Sequence, residues 1–214
     1  MLKTVKTATT KGNNTISLYE TQNEKYDKTI LIIGVFHGEE PQGEYLINKF
    51  LETDLSNIKN KLFIIPCLNP DGMRKNQRQN ANGVDLNRNF PTKNWRITSR
   101  KEYFGGKEPE SETETKFMTN IINEHKFDAI LSIHAPFEIV NYDGPAEALA
   151  KKISEITGYP VQGDIGYPTP GSFGNYCGVE RNIPTITLEL PETKTNEELW
   201  QTNKAVFDFL AKEY

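Results

Sequence analysis

The sequence predicts an α/β domain with a mixed, mostly parallel central sheet flanked by helices. Three observations carry this. Four short apolar runs are spread along the chain, and segments of helical period lie between them. The length, 214 residues with a formal net charge of −4, suits one domain over 1–214 with a well-buried core.

The apolar runs are residues 29–36 (TILIIGVF), 61–68 (KLFIIPCL), 127–133 (FDAILSI) and 185–190 (TITLEL). The first three are nearly continuous and rich in branched side chains, as a sheet covered on both faces requires. The last alternates more clearly. A helix over 40–51 has Pro41 near its start. A second, over 111–124, opens with a capping-box pattern, Ser-Glu-Thr-Glu, and sets Phe117, Ile121 and Ile122 on one face. Residues 144–157 and 196–212 complete the helices. Two stretches lack a period: 69–107, rich in Asn, Arg and Gly, and 159–182, rich in Gly, Pro and Tyr. Long loops in a compact domain are usually functional. Open α/β sheets bind ligands beyond the carboxyl ends of their strands.

Composition excludes several classes. Hydrophobic residues make up 36% and charged residues 25%, which is neither collagen-like nor disordered. No apolar run approaches the ~20 residues that span a bilayer, so no membrane partner is expected. The acidic balance argues against nucleic-acid binding. Two cysteines, Cys67 and Cys177, make no disulfide framework. The N-terminus lacks an apolar signal core, so the expected compartment is the cytoplasm, or the periplasm if a signal has been removed.

The chain holds three histidines, His37, His125 and His134. His37 and His134 each follow an apolar run. His37 stands in Phe36-His37-Gly38-Glu39-Glu40, where His37 and Glu40 can converge on one cation across a strand-to-helix turn. Imidazole nitrogen with carboxylate oxygen is a favoured zinc set. If the two strands are neighbours, His134 completes a three-ligand site with one position open for water. An H-x-x-E alone also arises by chance, and a histidine at a strand end also serves as a hydrogen-bonded structural residue. The residue pattern leaves both readings open. His125, late in a helix, reads as structural or exposed.

Between Met73 and Lys101 lie Arg74, Lys75, Arg78, Arg88, Lys93, Arg96, Arg100 and Lys101 against one acid, Asp85. This cationic loop could be a solvated face, a phosphate or RNA site, or a pocket for a carboxylate gripped by arginine.

The ordered set HGEE, NPDG, RQNANGVDLNRNFP, SIH and TLELP resembles the zinc carboxypeptidase superfamily, in the short bacterial branch that acts on peptidoglycan peptides. The resemblance implies a mixed α/β fold and one zinc per chain, with His37, Glu40 and His134 as its ligands. It makes Glu189 the catalytic glutamate and Arg78 the arginine that polarises the scissile carbonyl. Asn87 and Arg88 match the pair that holds the substrate's terminal carboxylate. Tyr176 resembles a mobile tyrosine that caps the site. In digestive members an arginine that contacts the peptide upstream of the cut stands where this chain has Glu39. A glutamate there implies a changed subsite and a cationic partner, such as the side-chain amine of meso-diaminopimelate; it also suits the start of the following helix.

The implied reaction is hydrolysis of the γ-D-glutamyl–meso-diaminopimelate bond of a small murein tripeptide with a free carboxylate. Three rivals stand beside it: a periplasmic carboxypeptidase trimming intact wall, a deacylase of the succinylglutamate desuccinylase and aspartoacylase group, and a non-enzymatic binder that keeps Arg88 and Asn87. Cys67 reads as a small core residue, Cys177 as a neighbour of the site, and Asp71 and Asp85 as loop braces.

Overall fold

The computed structural model describes residues 2–98 and 101–214; Arg100 of the cationic loop lies outside them. Eight strands form one sheet: β1 (Leu2–Thr9), β2 (Thr15–Thr21), β3 (Thr29–Ile33), β4 (Lys61–Ile65), β5 (Ala129–His134), β6 (Ile139–Asp143), β7 (Val161–Gln162) and β8 (Thr185–Glu189). Their spatial order is β1-β2-β4-β3-β5-β8-β6-β7. The four apolar runs form its parallel centre, β4-β3-β5-β8. The outer pairs β1·β2, β2·β4 and β6·β8 are antiparallel, which makes the sheet mixed.

The centre is apolar on both faces because both are covered. On one side Ile30, Ile32, Leu62, Ile64, Leu131 and Leu188 pack under α1 (Gln42–Leu51), α4 (Glu147–Thr157) and α5 (Asn196–Lys212). On the other, Leu31, Ile33, Phe63, Ile65 and Ile130 pack with α3 (Thr113–Glu124) and with Phe36, Phe90 and Phe173 from the loops. Each fully buried Ile or Leu contributes about 1.5–3 kcal/mol relative to exposure. The result is three layers: helices, sheet, and one helix with long loops.

Helix ends follow local chemistry. α4 stops at Gly158, which is left-handed at φ +79°. α5 starts with a reciprocal capping box between Thr195 and Glu198. The capping box expected at Ser111 does not form. Glu112 is the N-cap and makes no capping bond, and the Ser111 hydroxyl instead donates to the Glu112 carboxylate at 2.7 Å. A short helix absent from the expectation, α2 (Pro70–Lys75), opens the cationic loop, with the Asn69 side chain accepting from Gly72 N at 2.9 Å.

Candidate active site

The carboxyl ends of β3, β5 and β8 meet where the parallel centre of the sheet ends. After Ile33 the chain leaves the sheet through Val35, a fully buried β-branched residue held at φ +53°. That turn delivers Phe36 to the core and His37 to the buried cluster at the strand ends. Gly38 lets it sit hard against α2, since a Cβ there would lie 2.0 Å from the Gly72 carbonyl carbon. His134 ends β5 and is the register partner of Glu189, which ends β8.

His37, Glu40 and His134 converge. One ligand atom from each lies within 4.8 Å of the others, and all three residues are buried. Glu40 bridges the imidazoles, with Oε1 2.8 Å from His37 Nδ1 and Oε2 3.0 Å from His134 Nδ1. His37 Nε2 faces Asp85 Oδ1 at 3.2 Å, and His134 stacks on Phe36 at 5.2 Å between ring centroids. Two nitrogens and a carboxylate, each oriented by its surroundings, form a donor set that fits zinc.

The electrostatics match. Burial alone would lower the basicity of His37, but Glu40 and Asp85 outweigh it and hold the imidazole up at about 9. Burial likewise opposes ionisation of Glu40, yet His37 and His134 keep its carboxyl well below the usual range. Such tight charge coupling in a buried cleft is typical of functional sites.

The cluster opens into a cavity of about 260 Å³, lined also by Glu39, Arg78, Asn87, Arg88 and Glu189. Glu189 is 9% exposed, and its Oε2 has no hydrogen-bond partner. Burial, followed by the charge of Glu40, pushes its carboxyl up against the pull of the histidines. Arg78 Nε donates to Asp85 Oδ2 at 2.9 Å, and its Nη1 reaches to 3.3 Å from His37 Nδ1. Arg88 is buried, donates from Nη1 to the Asn87 carbonyl at 2.7 Å, and lies 5.6 Å from the Tyr103 ring. The Asn87 Oδ1 accepts from Phe173 N at 2.8 Å.

Residues 2–210 match the zinc carboxypeptidase family. This chain belongs to that family. Murein peptide amidase A of Escherichia coli K12 is 32% identical over 179 residues, 78% of this chain and 73% of that protein. The protein of the same name from Vibrio campbellii is 37% identical over 142 residues, 60% of this chain and 56% of that one. The crystal structure of a murein-tripeptide amidase from Escherichia coli O157 superposes with a TM-score of 0.83 at 27% identity, over 96% of this chain and 90% of that one. Thrombin-activatable fibrinolysis inhibitor shares the fold, with a TM-score of 0.81 at 17% identity, over 98% of this chain and 67% of that one.

This zinc carboxypeptidase is therefore a hydrolase, and most of the residues expected at its site line one cavity. Tyr176 does not. It is 1% exposed, packed against Phe90 with the Arg181 guanidinium 3.4 Å over its ring, so it is a core residue and not a cap. The tyrosines that line the cavity are Tyr103 and Tyr167, the latter 44% exposed at the mouth. Cys177 also belongs to the core and does not reach the cavity. Glu39 stands at the rim, 46% exposed, with Oε1 3.9 Å from Arg78 Nη1.

Asp85 was undervalued by sequence reasoning. It does brace its loop, accepting from Asn87 N at 2.9 Å, but it also faces His37 and Arg78 at once. The available signal was its standing as the lone acid in the stretch from Met73 to Lys101. His125, as expected, is structural, its ring 4.5 Å from that of Phe63.

Proposed function

We propose that this chain hydrolyses the γ-D-glutamyl–meso-diaminopimelate amide of murein tripeptide, using one zinc held by His37, Glu40 and His134. The observation that carries the chemistry is the buried Glu189 carboxylate, with its Oε2 left without a hydrogen-bond partner, beside the three-donor cluster and two arginines in one cavity. Similarity to murein peptide amidases supports the substrate.

A zinc ion, when bound, supplies Lewis acidity that activates water near neutral pH and polarises a carbonyl. The chain's own residues do the rest. Glu189 takes the proton of the attacking water and passes it to the leaving amine; a carboxyl raised by burial suits both halves of that transfer. Arg78, steadied by Asp85, presents Nη1 toward the developing oxyanion. Arg88 and Asn87 hold the terminal carboxylate and so set which bond meets Glu189. Glu39 lines the rim of the same cavity beside Arg78.

The test is incubation of the zinc-loaded protein with L-alanyl-γ-D-glutamyl-meso-diaminopimelate. Release of free diaminopimelate is the expected result. An enzyme that leaves this tripeptide intact while removing ordinary C-terminal residues contradicts the substrate assignment.

A further inference from the structure

The turn over 85–88 carries Asp85, Asn87 and Arg88, and a buried asparagine ties it down at each end. Before it, Asn80 closes a ring. The Asn80 N–H donates to the Val84 carbonyl at 3.0 Å, and its Oδ1 accepts from Asn82 N at 3.0 Å and from Val84 N at 3.1 Å. After it, Asn89 Nδ2 donates to the Gly105 carbonyl at 2.7 Å, and Asn89 Oδ1 accepts from Glu112 N at 3.2 Å.

Asn80 reaches the start of α3 through a pair of acids. Its Nδ2 donates to Glu112 Oε2 at 2.8 Å and to Glu114 Oε2 at 3.3 Å. Glu112 has further donors, Asn82 Nδ2 and the Ser111 hydroxyl, each at 2.7 Å. Glu114 Oε1 has no partner. Both acids are buried, and among the described residues neither makes an ion pair. The charges that face Glu114 are negative: Glu112 from the loop and Asp71 from α2. Cations on the packed elements are engaged elsewhere. Lys75 of α2 acts on Asp71, Lys6 of β1 pairs with Glu124, and Lys116 of α3 donates to the Ser111 carbonyl at 3.3 Å. Two buried carboxylates that share one amide and lack a cation do not both ionise cheaply. Burial accordingly raises the Glu114 carboxyl to about 7.

We propose that Asn80, Glu112 and Glu114 form a proton-dependent brace for the turn over 85–88: a proton on Glu114 keeps the brace closed, and its loss loosens the turn. The inference rests on the reading that Asp85, Asn87 and Arg88 serve the cavity. Release of the proton to solvent puts a second negative charge beside Glu112 inside the protein. The pair relieves this by moving apart and admitting water, and Asn80 Nδ2 then no longer holds both. The ring over 80–84 loses its anchor, and with it the placement of Asp85 against His37 and Arg78. A displacement of about 1 Å in such a support costs on the order of 10² in rate. Glu114 is thus a positioning residue that acts through Asn80.

The experiment measures kcat and KM for the tripeptide from pH 6 to pH 8.5 in wild type, Glu114→Gln and Asn80→Ala. Glu114→Gln keeps the brace closed at every pH. Its kcat/KM should match wild type at pH 6 and exceed it about tenfold at pH 8, where about one-tenth of wild type retains the proton. Asn80→Ala removes the anchor. It should fall below wild type on the order of tenfold at pH 6, and its ratio to Glu114→Gln should not change with pH. Amide hydrogen exchange at Asn82 and Val84, whose N–H groups bond Asn80 Oδ1, reads the brace without turnover. At pH 8 both amides should exchange faster in wild type than in Glu114→Gln, and at pH 6 the rates should agree. A ratio of Glu114→Gln to wild type that is constant with pH, or equal exchange at pH 8, overturns the inference. If none of the proteins cuts the tripeptide, the proposed reaction falls, and the exchange comparison still decides the brace.

Discussion

Asp85 divides its carboxylate between two residues of the site: Oδ1 lies 3.2 Å from His37 Nε2, and Oδ2 accepts from Arg78 Nε at 2.9 Å. One fully buried acid thereby fixes which imidazole nitrogen of His37 faces the cluster and aims a guanidinium at the same cavity. Outer partners of this kind typically govern metal affinity or activity by 10–100-fold. Asp85→Asn keeps the loop brace to Asn87 N and removes the charge. It should weaken zinc binding by about that factor in chelator competition, with an unchanged circular dichroism spectrum. Unaltered affinity would show that Asp85 only braces the loop.

Glu189→Gln retains volume and removes the proton carrier. Turnover should become undetectable while zinc content and affinity for the tripeptide persist. Zinc loss along with activity would mean that Glu189 acts through the metal cluster and not on the reacting water.

Arg88 and Arg78 should separate kinetically. Arg88→Ala should chiefly raise KM, because the carboxylate anchor is lost from both ground and transition states. Arg78→Ala should lower kcat by on the order of 10²–10³, as loss of an oxyanion donor does. Identical effects of both substitutions on KM alone would remove the oxyanion role.

Stability should depend on pH through Glu114, on α3 and outside the cavity. The residue is 1% exposed, Oε1 has no partner, and Oε2 accepts from Asn80 Nδ2 at 3.3 Å. Burial pushes its carboxyl from an ordinary 4.5 up to about 7. The folded state therefore binds this proton more tightly than the unfolded state. The contribution to stability is complete below pH 4.5 and is lost as pH rises through 7. Glu114→Gln carries no proton to lose and should exceed wild type at pH 8 by on the order of 2 kcal/mol in urea unfolding. At pH 4 the two should nearly coincide. A difference independent of pH would contradict the assignment.

The parts of the fold that were legible are those whose burial writes itself into composition. Residues of β3, β4 and β5 read as strands because helices or loops cover both faces. β1 did not, because LKTVKTAT forms an edge strand with mostly exposed lysines and threonines, the usual guard against edge pairing. β6 is five residues long and carries Ile139 and Val140 side by side with Tyr142 beyond Asn141, so no clean alternation registers. His37, Glu40, His134 and Glu189, which the resemblance picks out, come together because they sit at strand ends or in a compact turn, where chain position sets spatial position. Tyr176 misled because an aromatic in a Gly-rich loop can face in or out. It fell on the core side, between Phe90 and Arg181, while Tyr167, between Gly166 and Pro168, faces the cavity.

Elemental analysis of the purified protein, run beside His134→Ala, tests the metal cluster most directly. The expected result is about one zinc per chain in wild type and a loss of that zinc in the variant. Wild-type protein that takes up no zinc when supplied with it, or a variant that retains it fully, would contradict the site on which the whole mechanism depends.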